Sequence, residues 1–132
     1  MSTLWVEHAP SSVALARRSV LTAFDAAGLA GEPAHDAALI ASELVGNAVR
    51  HATPLRSGRL ALHWAVEPDG YSIAVTDGGR PTGSGSDGIS ARQAGNRDVG
   101  GRGLRIVAEL ADSWGVAAEQ GGTTVWARGS RS

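Results

Sequence analysis

Residues 43–52 read Glu43-Leu44-Val45-Gly46-Asn47-Ala48-Val49-Arg50-His51-Ala52. Glu43, Asn47 and His51 recur every four residues, so a helix stacks them along one stripe. Leu44, Ala48 and Val49 fall on neighbouring apolar positions. The Asn47 oxygen is a hard ligand suited to Mg2+, and Glu43 can hold water or accept a proton. A solvated polar face has the same spacing, so that alternative stays open on this helix alone. His51 reads most simply as a residue capping its own helix C-terminus, with a general base or a metal ligand as the alternatives. Gly46 costs about 1 kcal/mol relative to Ala in a helix interior. It either permits a close approach or is a tolerated surface glycine.

This helix starts at Pro33, which suits a first turn, and closes before Pro54. Upstream, Val13, Ala16, Val20, Leu21 and Phe24 recur at three- and four-residue spacing, predicting an amphipathic helix to about Ala27. Gly28 and Gly31 mark its end. Leu4 to Glu7 forms a short first strand. Downstream, Leu60 to Val66 and Tyr71 to Thr76 alternate with a period of two around Pro68-Asp69-Gly70, which predicts an antiparallel hairpin. A glycine-rich segment follows to Gly103, with room for one helical turn at Ile89 to Gln93. A short helix at 103–112 and a closing hairpin, Trp114 to Ala118 and Thr123 to Ala127, complete the chain. The order β-α-α-β-β-loop-α-β-β favours a two-layer α/β sandwich with a mixed, largely antiparallel sheet packed on helices. Regular βαβ alternation and the dinucleotide glycine fingerprint are both missing, which excludes a doubly wound nucleotide fold.

Three further features carry chemistry. Asp77 ends an apolar strand in Thr76-Asp77-Gly78-Gly79-Arg80-Pro81, where a carboxylate at a sheet rim can accept from an adenine amino group. Gly79 can remove bulk beside a flat base. A plain Asp-Gly turn is the alternative. Gly100-Gly101-Arg102-Gly103-Leu104 runs into a helix start, where backbone amides and the helix dipole favour phosphate. Thr124, in Gly122-Thr123-Thr124-Val125-Trp126, offers a hydroxyl from an inner strand, or is simply a β-favouring residue. Trp64, Trp114 and Trp126 fall in strands and are expected in the core. His8, His35 and His63 have no metal-like spacing.

Composition narrows the field. The 132 residues fit one domain, with roughly two-thirds of the unfolded surface available for burial. Twelve basic and 13 acidic residues give a net charge of −1, and all the basic ones are Arg. With no basic cluster beyond Arg17-Arg18, a polyanion binder is disfavoured, and without Lys no Walker-type phosphate loop exists. No cysteine is present, so disulfides and thiol chemistry are excluded. No signal peptide or membrane span is expected, and a cytoplasmic protein is the default.

The four features together, in their order and spacing, resemble the ATPase domain shared by gyrase, Hsp90, histidine kinases and MutL, with its Bergerat ATP-binding fold. Glu43 to Ala52 matches the N-box, Asp77 and Gly79 the first glycine box, Gly101, Gly103 and Leu104 the second, and Thr124 the threonine near the end of the fold. The resemblance spans nearly the whole of 1–132. In GRGLRIVAELADSWGV and GGTTVW the chain looks most like the small bacterial anti-sigma-factor serine kinases, particularly the actinobacterial ones. The resemblance implies ATP and Mg2+ as ligands, with Asn47 coordinating Mg2+ and Glu43 as general base toward a serine or threonine hydroxyl. It implies Asp77, assisted by Thr124, at the adenine amino group and Gly79 lining the base pocket. Gly101, Gly103 and the Leu104 amide would lie around the phosphates, with help from Arg50 and Arg102. Residues 80–100 would form the ATP lid. The implied partners are an anti-sigma-factor antagonist as substrate and a sigma factor sequestered by a homodimer, with no direct nucleic acid or membrane contact. A complete histidine kinase or a topoisomerase would need further domains, so the small-kinase class fits the length. A non-catalytic ATP-responsive binding module is the alternative, and slow ATP hydrolysis without a protein substrate is another. Pro81 departs from the family pattern, where a further glycine is usual, and stiffens the lid entrance.

Overall fold

The structure is a computed structural model, and it describes residues 1–79, 102–119 and 121–131. The expected lid at 80–100, its helical turn at Ile89 to Gln93, and Gly101 all lie outside the described residues. Strand β1 (Ser2–Glu7) leads to helices α1 (Ser11–Ala26) and α2 (Glu32–His51). Strands β2 (Arg59–Glu67) and β3 (Gly70–Asp77) follow, then α3 (Arg102–Leu110), β4 (Ser113–Glu119) and β5 (Gly122–Ser130).

The sheet order is β1-β2-β3-β5-β4, and every neighbouring pair is antiparallel. The mixed sheet expected from sequence is therefore corrected to a wholly antiparallel one among the described residues. The β1–β2 crossover shows why. Two helices, rather than one, occupy that connection, so the chain returns in the opposite direction. The result is a two-layer α/β sandwich, with the helices on one face of the sheet.

Periodicity explains each layer. Ala16, Val20 and Phe24 form the buried stripe of α1. Gly28, at φ 84°, ends that helix, and the Leu29 amide reaches back to the Phe24 carbonyl at 2.9 Å while Leu29 itself is buried. This is the left-handed stop that glycine permits. Helix α2 is buried over most of its length, at Ala34, Ala37, Ala38, Ile40, Ala41, Leu44, Val45 and Ala48. Its alanines let α1, α3 and the sheet approach closely. On β3, Tyr71, Ile73, Val75 and Asp77 are buried, while the residues between them are only half-buried.

The tryptophans divide by face. Trp114 is in the core and Trp64 packs against it. Trp126 is not in the core: it lies on the sheet's other face, covering Gly115, with the Arg128 guanidinium 5.7 Å from its ring. Alternation along β5 requires this, because Val125 and Ala127 point inward.

Candidate functional site

Helix α2 carries Glu43 and Asn47 one turn apart, as the spacing predicts, and it packs against β3 and α3. Glu43 is half-buried. Asn47 is only 1% exposed, and its Oδ1 has no hydrogen-bond partner among the described residues. Among the described residues it is the sole buried side-chain nitrogen or oxygen left in that state. Such an orphan costs about 1–3 kcal/mol, and buried polar groups are paired in the great majority of cases. An oxygen acceptor held dry and unpaired has the chemistry a hard cation needs. The residues therefore fit Mg2+ at this atom. No cluster of three or more His, Cys, Asp or Glu gathers among the described residues. Remaining ligands at Asn47 would come from water and phosphate oxygens, the usual pattern for Mg2+.

Asp77 ends β3 and is 1% exposed. Its Oδ1 accepts the Gly79 amide at 2.7 Å, which fixes the carboxylate at the rim. Gly79 has φ 104°, a conformation that favours glycine. A Cβ there would meet nothing within 4 Å among the described residues, so space beside this backbone is open. Gly78 is needed for a different reason: a Cβ would lie 2.1 Å from the Pro54 carbonyl oxygen. That closeness comes from a strap between the end of α2 and the glycine box. The Thr53 amide donates to Gly79 O at 2.9 Å, the Gly78 amide to Thr53 O at 2.7 Å, and the Thr53 hydroxyl to Gly79 O at 3.0 Å. The helix bearing Asn47 and the strand end bearing Asp77 are thus joined directly.

Threonine on β5 requires a correction. Asp77 pairs with Thr123, and Thr76 pairs with Thr124. Thr123 is 8% exposed and shares the inward face with Asp77. Thr124 projects from the opposite face, where its hydroxyl bonds that of Thr76 at 2.8 Å. The hydroxyl beside Asp77 is therefore that of Thr123. Thr76 continues to His63 Nε2 at 3.4 Å, and His63 Nδ1 to the Thr3 hydroxyl at 3.0 Å, a polar row across four strands. Burial holds the His63 imidazole below its ordinary pKa.

Arg50 is not brought onto the Asn47 stripe. Its Nη1 would lie 3.3 Å from a Cβ on Gly46, next to Val13 of α1. Gly46 is buried, so its role is close approach rather than surface tolerance. His51 is exposed at the last position of α2 and has a bonding partner. Arg102 and Gly103 open α3, and the buried Leu104 side chain anchors that first turn in the core.

Besides Thr123, another residue of this region escaped sequence reasoning. His8 Nε2 lies 2.8 Å from Ala52 O and 3.3 Å from Ala48 O, capping the end of α2. It lies 44 residues from Ala52 in the chain, and no local pattern announces it. Among the described residues no helix is long and apolar enough to cross a membrane.

The comparison with curated proteins gave no match. A family model for the histidine kinase-like ATPase domain matches residues 6–128, which includes α2, both glycine boxes and most of β5. The chain belongs to the histidine kinase-like ATPase domain family.

Proposed function

We propose that the chain binds ATP with Mg2+ between α2 and the two glycine boxes, and transfers the γ-phosphoryl group to a serine or threonine of a partner protein. The observation that carries this is the buried, unpartnered Oδ1 of Asn47, one helical turn from Glu43 and strapped through Thr53 to the Asp77 rim. Asp77 accepts from the adenine amino group, with the Thr123 hydroxyl beside it, and the open side of Gly79 admits the base. Asn47 Oδ1 holds Mg2+, which supplies charge neutralisation along the phosphates when bound. Gly101, Gly103 and the Leu104 amide serve the phosphate oxygens, with residues 80–100 as the lid. Arg102 is assigned to the same phosphates. The partner's hydroxyl oxygen bonds to phosphorus as the bond to the ADP oxygen breaks, and Glu43 takes the hydroxyl proton. The partner class is an anti-sigma-factor antagonist, with a sigma factor held by a homodimer as the second role.

Glu43→Gln separates binding from transfer. It is expected to bind a non-hydrolysable ATP analogue as the wild type does, and to lose transfer of labelled phosphate to a purified antagonist protein by about a hundredfold or more. Undiminished transfer in Glu43→Gln overturns the general-base role. A wild type that binds nucleotide but labels no hydroxyl-bearing antagonist supports instead a non-catalytic, ATP-responsive module.

A further inference from the structure

The two halves of the proposed nucleotide site meet where α2 ends. Asn47 stands directly before Ala48, and Thr53, which straps the Asp77 rim, stands directly after Ala52. Ala52 leaves the helix in an extended conformation, at φ −126° and ψ 168°, so no further helical turn supplies a donor to its carbonyl. His8 supplies one from 44 residues away. Its Nε2 lies 2.8 Å from Ala52 O and 3.3 Å from Ala48 O. One ring nitrogen thus bridges the residue after Asn47 and the residue before Thr53.

Both of these partners are carbonyl oxygens, which only accept, so Nε2 carries the hydrogen. That holds for the neutral Nε2–H tautomer and for the imidazolium alike. The ring is presented by a turn that is itself tied. The Ala9 amide donates to Glu7 O at 2.8 Å, and the hydroxyl of buried Ser12 donates to the same carbonyl at 2.6 Å. The Ser12 amide donates to Ala9 O at 2.9 Å. His8 is half-buried there, where its bonds compete less with water.

From this turn the bonds run unbroken to the Asp77 carboxylate. The Thr53 amide to Gly79 O, the Gly78 amide to Thr53 O and the Gly79 amide to Asp77 Oδ1 measure 2.9, 2.7 and 2.7 Å. Gly78 packs so closely on the Pro54 carbonyl that a Cβ would lie 2.1 Å from its oxygen. A displaced Ala52–Thr53 turn therefore carries the Gly78–Gly79 backbone with it, and the rim carboxylate follows.

We propose that His8 is a positioning residue for nucleotide binding: it fixes the Ala52–Thr53 turn, and so the placement of the Asp77 rim relative to Asn47. The proposal rests on the nucleotide reading given above. His8 touches no substrate and acts through backbone carbonyls. Binding groups must be held within about 0.5 Å of their working positions, so a loosened turn costs affinity as well as stability.

The test compares His8→Ala, His8→Asn and His8→Gln in the full chain. A glutamine amide nitrogen has nearly the reach of Nε2, whereas an asparagine amide nitrogen has the shorter reach of Nδ1. Ile73→Val, a trim of a fully buried core side chain, is the control for general loss of stability. Affinity for a non-hydrolysable ATP analogue with Mg2+ is read by calorimetry at a temperature where every variant is folded. Amide exchange at Gly78 and Gly79 is read without nucleotide. His8→Ala and His8→Asn are expected to lose about fivefold or more in affinity and to exchange faster at both glycines. His8→Gln and Ile73→Val are expected to stay close to the wild type in both readouts. Unmoved affinity or unmoved exchange in His8→Ala, an equal loss in Ile73→Val, or no rescue by His8→Gln would each overturn the proposal and leave the nucleotide reading standing. No binding by folded wild type would overturn that reading, and this proposal with it.

Discussion

Asn47 Oδ1 carries a cost in the folded chain that a bound cation relieves. Its Oδ1 is buried without a partner, so the ligand-free protein is less stable than its packing allows. Asn47→Leu, similar in size and free of polar atoms, is expected to raise ligand-free stability by about 1 kcal/mol in urea unfolding while weakening nucleotide binding. A fall in stability would show that the oxygen is satisfied in solution. The threonine doublet makes a second residue-scale test. Thr123→Val is expected to weaken affinity for an ATP analogue severalfold, and Thr124→Val to leave it unchanged, as read by competition binding. The reverse pattern would contradict the register. Glu43 and Asn47 were legible because a helix repeats nearly every four residues. Thr123 was not, because two identical residues stand side by side and a shift of one flips the face.

At the scale of elements, α2 is held at its C-terminal end by groups distant in sequence. His8 bonds the Ala48 and Ala52 carbonyls, and Thr53 ties the following turn to Gly78 and Gly79. His8→Ala leaves the last carbonyls of α2 without that donor. Its expected cost is about 1 kcal/mol in chemical denaturation, together with faster amide exchange at Val49 to Thr53. An unchanged midpoint would show that His8 does not hold the end of α2. The helices and strands themselves were readable to within one or two residues at most ends, since period-four and period-two patterns alternate cleanly with Gly and Pro punctuation. The cap was not readable, because it is a tertiary contact. Trp126 was misread for a related reason: strand propensity does not say which face a residue takes.

The whole molecule closes around one core, and its single tyrosine reports on it. Tyr71 is buried, its ring 5.7 Å from Phe24 in an edge-to-face contact. Burial pushes its phenol up to about 12, and the negative charges of Asp36 and Asp112 add to the shift. The unfolded value is about 10. A group raised in this way stabilises the fold fully below pH ~10, and that contribution is lost as pH rises through the folded value. The denaturation midpoint is therefore expected to fall across that interval. Tyrosinate absorbance should appear near pH 12 in the folded protein and near pH ~10 in urea. Ionisation near the unfolded value in folded protein would contradict the packing.

On the proposed function, the orphaned Asn47 and the rim carboxylate Asp77 frame a nucleotide site. Asp77→Asn tests it most directly, because Asn keeps an oxygen for the Gly79 amide while an amide donor replaces the second carboxylate oxygen. Calorimetric titration of wild type and Asp77→Asn with a non-hydrolysable ATP analogue, with and without Mg2+, is the measurement. Saturable, Mg2+-strengthened binding is expected in the wild type, and at least a tenfold loss in Asp77→Asn at unchanged folding. No binding by folded wild-type protein, or equal affinity in Asp77→Asn, would contradict it.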